Sequence, residues 1–148
     1  MRKEQNDIAI RRARIEDFES IYNLICQLEN CTFHKKTLNE VYSDNLNNRN
    51  IHYFVALKDD KIIGFVSWHV NLLLHHSEKV VEIQELIIDK NLRSTGIGRI
   101  LINKVEELVK KDEISLLEVS CNRKRVKAFS FYEKLGFTKS HYKFTKKI

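Results

Sequence analysis

The sequence predicts one α/β domain, a mixed sheet with helices on both faces. Hydrophobic periodicity switches between 2 and 3.6 along the chain and yields the order β-α-α-β-β-β-α-β-α-β. Strands and helices alternate only in the C-terminal half, which calls for parallel pairing there and antiparallel pairing elsewhere. The 148 residues, 43% of them hydrophobic, suit one core, so a single domain is expected over 1–148.

The elements follow in order. Ile8 to Arg11 reads as a short strand. Ile15 to Leu28 has helical spacing, with Ile15, Phe18, Ile21, Tyr22, Ile25 and Leu28 sharing a face. Asn30 to Lys36 is polar and connects to a weaker helix over Leu38 to Leu46. His52 to Leu57 and Ile62 to Val70 are strand-like and flank Lys58-Asp59-Asp60-Lys61, a hairpin signal. Asn71 to Lys79 reads as a linker. Val80 to Ile88 is the next strand, and Gly96 to Lys111 a long helix. Ile114 to Val119 is a strand, and Arg125 to Leu135 a helix closed by Gly136. Phe137 to Thr145 reads as a last strand or strand pair. The count is six to seven strands and about four helices.

Composition narrows the function. No apolar run approaches the roughly 20 residues that cross a bilayer. The first residues, MRKEQNDIAIRR, lack the apolar centre of a signal peptide, so a cytoplasmic location is expected. Cys26, Cys31 and Cys121 are odd in number and lack metal-ligand spacing, which reads as free thiols in a reducing compartment. The net charge of +6 attracts anions, but no nucleic-acid-binding motif accompanies it. A small polyanion is the expected partner, not nucleic acid or membrane.

The stretch from Val81 to Val109 carries the chemistry. A β-branched strand ends at Asp89, the turn Arg93-Ser94-Thr95-Gly96-Ile97-Gly98 follows, and a helix begins. Strand, glycine turn and helix together present free N–H groups and a partial positive charge to a phosphate. No Gly-Lys-Ser/Thr follows, which excludes a Walker loop, and Leu101 occupies the third glycine position of a dinucleotide fingerprint. A second segment runs Leu117-Glu118-Val119-Ser120-Cys121-Asn122 and then, from Ala128, A-F-S-F-Y-E-K-L-G-F.

These two segments, in this order and spacing, resemble the GNAT N-acetyltransferase superfamily over nearly the whole chain. The resemblance implies that superfamily's fold, a mostly antiparallel mixed sheet, and acetyl-CoA as cosubstrate. The backbone of Arg93, Ser94, Thr95, Gly96, Ile97 and Gly98 would hold the diphosphate. Leu86, Ile87 and Ile88 would pair with the pantetheine arm, and Asn122 would hydrogen-bond it. Tyr132 would protonate the departing thiolate; a phenol, with its ordinary pKa near 10, keeps its proton at neutral pH. Tyr132 also reads as a core aromatic beside Phe129 and Phe131. Glu82 is the expected general base, acting through a water, with Glu85 in reserve. Regular alternation puts Glu82 and Gln84 on one face and Ile83 and Glu85 on the other, unless a bulge turns Glu85.

Within the superfamily, Ile25-Cys26-Gln27-Leu28, Trp68-His69-Val70, Leu74-His75-His76, Glu82 to Leu86 and Ser140 to Lys146 resemble the bacterial aminoalkylphosphonate N-acetyltransferases. That implies a small amine bearing a phosphonate and a link to a divalent metal ion. His75 and His76 would touch substrate or metal, converging only if a loop carries them. Arg49 is a further candidate for an anionic substrate, alongside Arg11, Arg12 and Lys143. The alternatives are another acceptor (aminoglycoside, polyamine or protein N-terminus) or a non-catalytic acyl-CoA-binding module. Ser140 to Thr145 suits a dimer edge, so a homodimer is expected.

Overall fold

A computed structural model describes residues 7–148. Among them five strands form one sheet in the order β1-β2-β3-β4-β5, with β1 Ala9–Arg12, β2 Ile51–Lys58, β3 Lys61–Leu73, β4 Glu78–Ile88 and β5 Leu117–Val119. Four helices accompany them: α1 Phe18–Glu29, α2 Lys35–Leu46, α3 Ile97–Lys111 and α4 Val126–Lys134. All neighbouring strands pair antiparallel except β4 with β5.

The helices divide between the two faces, as the element order predicts. Ile21 and Leu24 of α1 and Tyr42 of α2 pack on Val55, Phe65 and Ile87. Leu101, Ile102 and Val105 of α3 pack on Phe54, Val66, Trp68, Val81 and Ile83 of the opposite face, with Phe131 of α4 and Leu135 just beyond it at the margin. The corner between β1 and α1 is tied by Asp17, which accepts from both Arg11 guanidinium nitrogens at 2.7 and 2.9 Å and from the Arg14 N–H at 2.7 Å. This residue, only 8% exposed, ends a 3-10 turn over Ile15–Asp17, so α1 starts three residues later than its hydrophobic pattern.

Three further expectations are corrected. Asn71 to Lys79 is not a linker: β3 and β4 continue in register to Leu73↔Glu78, leaving a tight turn over 74–77. The strand after α3 is three residues long, because β4 is its one neighbour and their pairing stops at Ile83↔Val119. Phe137 to Thr145 forms no strand, and residues 138–148 lie exposed with no partner strand. The count is therefore five strands rather than six or seven, in the same fold class.

One irregularity shapes everything downstream. Ser67 pairs with Glu85 and Trp68 with Ile83, so Gln84 is an extra residue, a bulge in β4. Val81 and Ile83 face α3, whereas Ile87 faces α1. Counting from either side of the bulge, Glu82 and Glu85 share the α1 face. Regular alternation would have separated them.

Candidate active site

Pairing of β4 with β5 ends at Ile83, yet β4 runs on to Ile88. Its last residues therefore have an open edge. The Asp89 N–H donates to the Ile63 carbonyl on the β3 side. Backbone groups of alternate residues point the same way, so Leu86 and Ile88 present theirs to the open edge. A cleft of about 270 Å³ lies there, lined by Gln27, Leu28, Leu86, Ile87, Ile88, Arg93 and Arg125. The Ile87 side chain is buried against α1, so its part in the cleft is backbone.

Two guanidiniums border the cleft. Arg93 donates from Nε to the Ile88 carbonyl at 3.3 Å. Arg125 donates from Nη2 to the Leu28 carbonyl at 3.1 Å and lies 3.5 Å from Glu29. Each keeps other N–H donors for an anion. The stretch Arg123-Lys124-Arg125-Val126-Lys127, basic at all but one position, thus contributes Arg125 to this cleft. Gln27, from the Ile25-Cys26-Gln27-Leu28 stretch, lines the cleft and accepts from the Lys90 N–H at 3.1 Å.

The turn beyond Arg93 is wound tightly. Ser94 has φ 64 and Gly96 φ 90, and Thr95 donates from its hydroxyl to the Leu92 carbonyl at 2.5 Å. Gly96 caps α3, whose first internal bond is from the Ile100 N–H to the Gly96 carbonyl. The N–H groups of Ile97, Gly98 and Arg99 are therefore free for a ligand. Gly98 has a different reason to be small. A Cβ there would lie 3.2 Å from Phe131 Cζ, so glycine lets α4 sit against the start of α3.

That contact positions Tyr132. Its ring packs edge-on against Phe131 at 5.1 Å and Phe137 at 5.4 Å. Burial pushes its hydroxyl up to about 12, with the Cys121 thiol adding to the rise and Arg125 opposing it. The core-aromatic and functional readings of Tyr132 are compatible, because the ring packs while the phenol stays protonated. Asn122 accepts from the Lys124 N–H at 3.0 Å, and its carbonyl accepts from the Arg125 N–H. Its side-chain oxygen is thus engaged and its amide N–H₂ is the group available to a ligand.

The α1 face of the sheet carries a polar row. His69, Glu82 and Glu118 are register partners on β3, β4 and β5, and each alternates with residues packed on α3. Glu82 accepts from the Ser120 hydroxyl at 3.3 Å. Glu85 receives the buried Ser67 hydroxyl, whose oxygen in turn accepts the Glu85 N–H at 3.1 Å. Tyr53, register partner of Ser67, accepts from the Asn45 amide at 2.6 Å. Sequence reasoning missed Ser67, Tyr53, Glu118 and Ser120; only knowledge of the bulge and register could have gathered them.

His75 and His76 do converge in the tight turn, with ring centroids 4.3 Å apart. His76 Nε2 lies 4.0 Å from Glu118. The expectation of a metal on His75 and His76 finds no support: among the described residues no three His, Cys, Asp or Glu side chains are placed to hold one. Two tilted rings and one distant carboxylate do not make a donor set. Arg49 is exposed in the turn before β2, whose first residue pairs with His69, so it sits at the histidine end of the sheet.

Residues 18–137 match the family model described as Acetyltransferase (GNAT) family. The chain belongs to the GNAT acetyltransferases. This GNAT chain is 35% identical over 139 residues to an aminoalkylphosphonate N-acetyltransferase of Salmonella typhimurium, covering 94% of the chain and 90% of the relative. A Bacillus halodurans structure titled as a transcriptional regulator superposes with TM-score 0.87 at 21% identity, over 95% of this chain and 99% of that one. A possible acetyltransferase from Clostridium difficile superposes with TM-score 0.81 at 24% identity, over 95% and 97%. The two structures share the GNAT fold, while the family model and the sequence relative make this chain an acetyl-CoA-dependent acetyltransferase. No helix among the described residues is long and apolar enough to cross a membrane.

Proposed function

We propose that the enzyme transfers acetyl from acetyl-CoA to the primary amine of an aminoalkylphosphonate, by direct attack in a ternary complex. The observation that carries the reading is the meeting of two things on β4: an open edge at Leu86 and Ile88, and the Glu82–Glu85 face. The diphosphate lies on the N–H groups of Ser94 to Gly98 with Arg93 and Arg125 beside it, and the pantetheine arm runs along the open edge, in reach of the Asn122 amide. The amine nitrogen forms its bond to the thioester carbon as the carbon–sulfur bond breaks. The N–H groups of β4 take up charge on the carbonyl oxygen. Glu82 receives the amine proton through a water, and Tyr132 gives its proton to the leaving sulfur.

An acyl-cysteine route fits poorly. Burial holds the Cys121 thiol above its ordinary range, and its one hydrogen bond, 3.8 Å, goes to the Asn122 carbonyl rather than a base.

The acceptor is supported by the sequence relative, whose name carries that substrate class. A second reading, a cationic acceptor such as a polyamine or aminoglycoside, is favoured by the three carboxylates Glu82, Glu85 and Glu118 on one face. Thiol release from acetyl-CoA decides between them across aminomethylphosphonate, a polyamine and an aminoglycoside. The proposed acceptor requires the highest kcat/KM with the phosphonate; a tenfold preference for the polyamine would replace it.

A further inference from the structure

We propose that Cys26 and Cys31 form an oxidisable thiol pair, whose disulfide fastens the end of α1 and with it one wall of the cofactor cleft. The effect on the cofactor rests on the proposed placement of acetyl-CoA; the pairing of the thiols does not.

Cys31 follows Cys26 by five positions, a spacing that matches no ligand or redox motif. The way α1 ends brings the two together. Asn30 takes the left-handed conformation, φ 49 and ψ 41, and its N–H donates to the Cys26 carbonyl. The Cys31 N–H donates to the same carbonyl at 3.3 Å. A bond from the residue after the left-handed position to the carbonyl five positions earlier is the closure of a Schellman motif. That motif folds the chain back and sets the side chains of its two end positions against each other, and here both are cysteines. One hydrogen bond between a carbonyl and an amide leaves the two α-carbons roughly 5–6 Å apart, inside the window a disulfide spans.

Other contacts hold the pair in place. The Cys26 thiol borders the Tyr22 hydroxyl, which donates to the Phe33 carbonyl at 2.8 Å. Tyr22 thus ties the chain beyond Cys31 back to α1 beside Cys26. Cys31 is exposed and Cys26 half-buried, so a small oxidant meets Cys31 first. Cys121 lies elsewhere, near Tyr132.

The residues between the two thiols give the bond its consequence. Gln27 and Leu28, the α1 residues that line the cleft, lie inside the loop that a disulfide closes. Gln27 accepts from the Lys90 N–H, the Leu28 carbonyl accepts from Arg125, and Glu29 lies 3.5 Å from the same guanidinium. The helix end already has the shape the bond needs, so oxidation fixes that shape. A wall fixed in advance costs less to order when the cofactor binds. The oxidant is a small disulfide such as glutathione disulfide. The Cys31 sulfur attacks one of its sulfurs and displaces a glutathione thiol; the Cys26 sulfur then attacks Cys31 in the mixed disulfide and displaces the second. The two protons pass to the two glutathione thiols, and one S–S bond replaces another.

Oxidation of the full chain with glutathione disulfide, then cleavage after Glu29 by a glutamate-specific protease and mass mapping, reads the pairing without any assay of activity. The expected product is two peptides joined through Cys26 and Cys31, with Cys121 still open to alkylation. Glutathione left on Cys31, or a bond from Cys121 to either thiol, overturns the pairing. The oxidised chain should melt about 4–8 °C higher. It should also bind acetyl-CoA at least threefold more tightly in calorimetry, and dithiothreitol or Cys31→Ser should abolish both gains. An unchanged melting temperature, or an equal or weaker affinity, overturns the fastening of the wall. Arg125→Ala separates the two readings: if it leaves the affinity of the reduced chain unchanged, the proposed cofactor placement fails, while the joined peptides keep the thiol pair.

Discussion

Replacing Tyr132 by Phe removes one oxygen and leaves the ring between Phe131 and Phe137, so folding should change little. With the hydroxyl pushed up to about 12, only about one phenol in 10⁴ is ionised at pH 8. The donor is thus fully loaded over the working range and produces no alkaline fall below about pH 10. Losing a general acid lowers turnover about 10²–10⁴-fold, or about 3–5 kcal/mol of barrier. The assay is steady-state thiol release at pH 8, paired with acetyl-CoA binding by calorimetry. Turnover should fall by at least a hundredfold while the cofactor Kd stays within threefold. A variant within threefold of wild-type turnover, or one whose loss is matched by lost cofactor affinity, refutes the assignment.

Three other outcomes are expected. Glu82→Gln should depress kcat/KM at least tenfold and change the acid limb of its pH profile, while Glu85→Gln should chiefly raise the acceptor KM; the reverse pattern, read from pH-dependent kinetics, makes Glu85 the base. Gly98→Ala drives a methyl against Phe131, and this overpacking, about 1–3 kcal/mol, outweighs the helix-propensity gain of at most about 1. Its melting temperature should fall by several degrees and its turnover with it; a rise in melting temperature contradicts the contact. Arg11 and the Arg14 N–H hold the Asp17 carboxyl below its usual range, so its contribution is present above about pH 4 and is lost as pH falls through the depressed folded value. Asp17→Asn should cost about 1–3 kcal/mol in denaturant melts at pH 7 and less at pH 3; an equal cost at both pH values removes the charge from the account.

Much of the fold was legible because local chemistry dictates it. Asp59 and Asp60 both take positive φ, the turn that joins β2 to β3, and Gly136 closes α4 at φ 90. The glycine turn was legible for the same reason. A bulge that turns Glu85 is allowed for by the sequence, but its place at Gln84 was not legible, since neither glycine nor proline marks it; it follows from packing Ile83 and Ile87 into cores on opposite faces. With it went the true relation of Glu82 to Glu85, which regular alternation had put apart. The docking of Arg125 on the Leu28 carbonyl was not legible, because the two are 97 residues apart in sequence. The place of Glu118 beside His76 was not legible either, because strand register and not sequence spacing sets it. The last strand was misread because β-prone residues alone do not make a strand, and residues 138–148 pair with no neighbour.

A crystal structure with bound coenzyme A tests the central claim most directly. The diphosphate oxygens should lie about 3 Å from N–H groups between Ser94 and Gly98, with the sulfur close to the Tyr132 hydroxyl and the pantetheine amides bonded to β4 at Leu86 and Ile88. A diphosphate bound away from that turn, or a sulfur on the far side of the sheet from Tyr132, would contradict it.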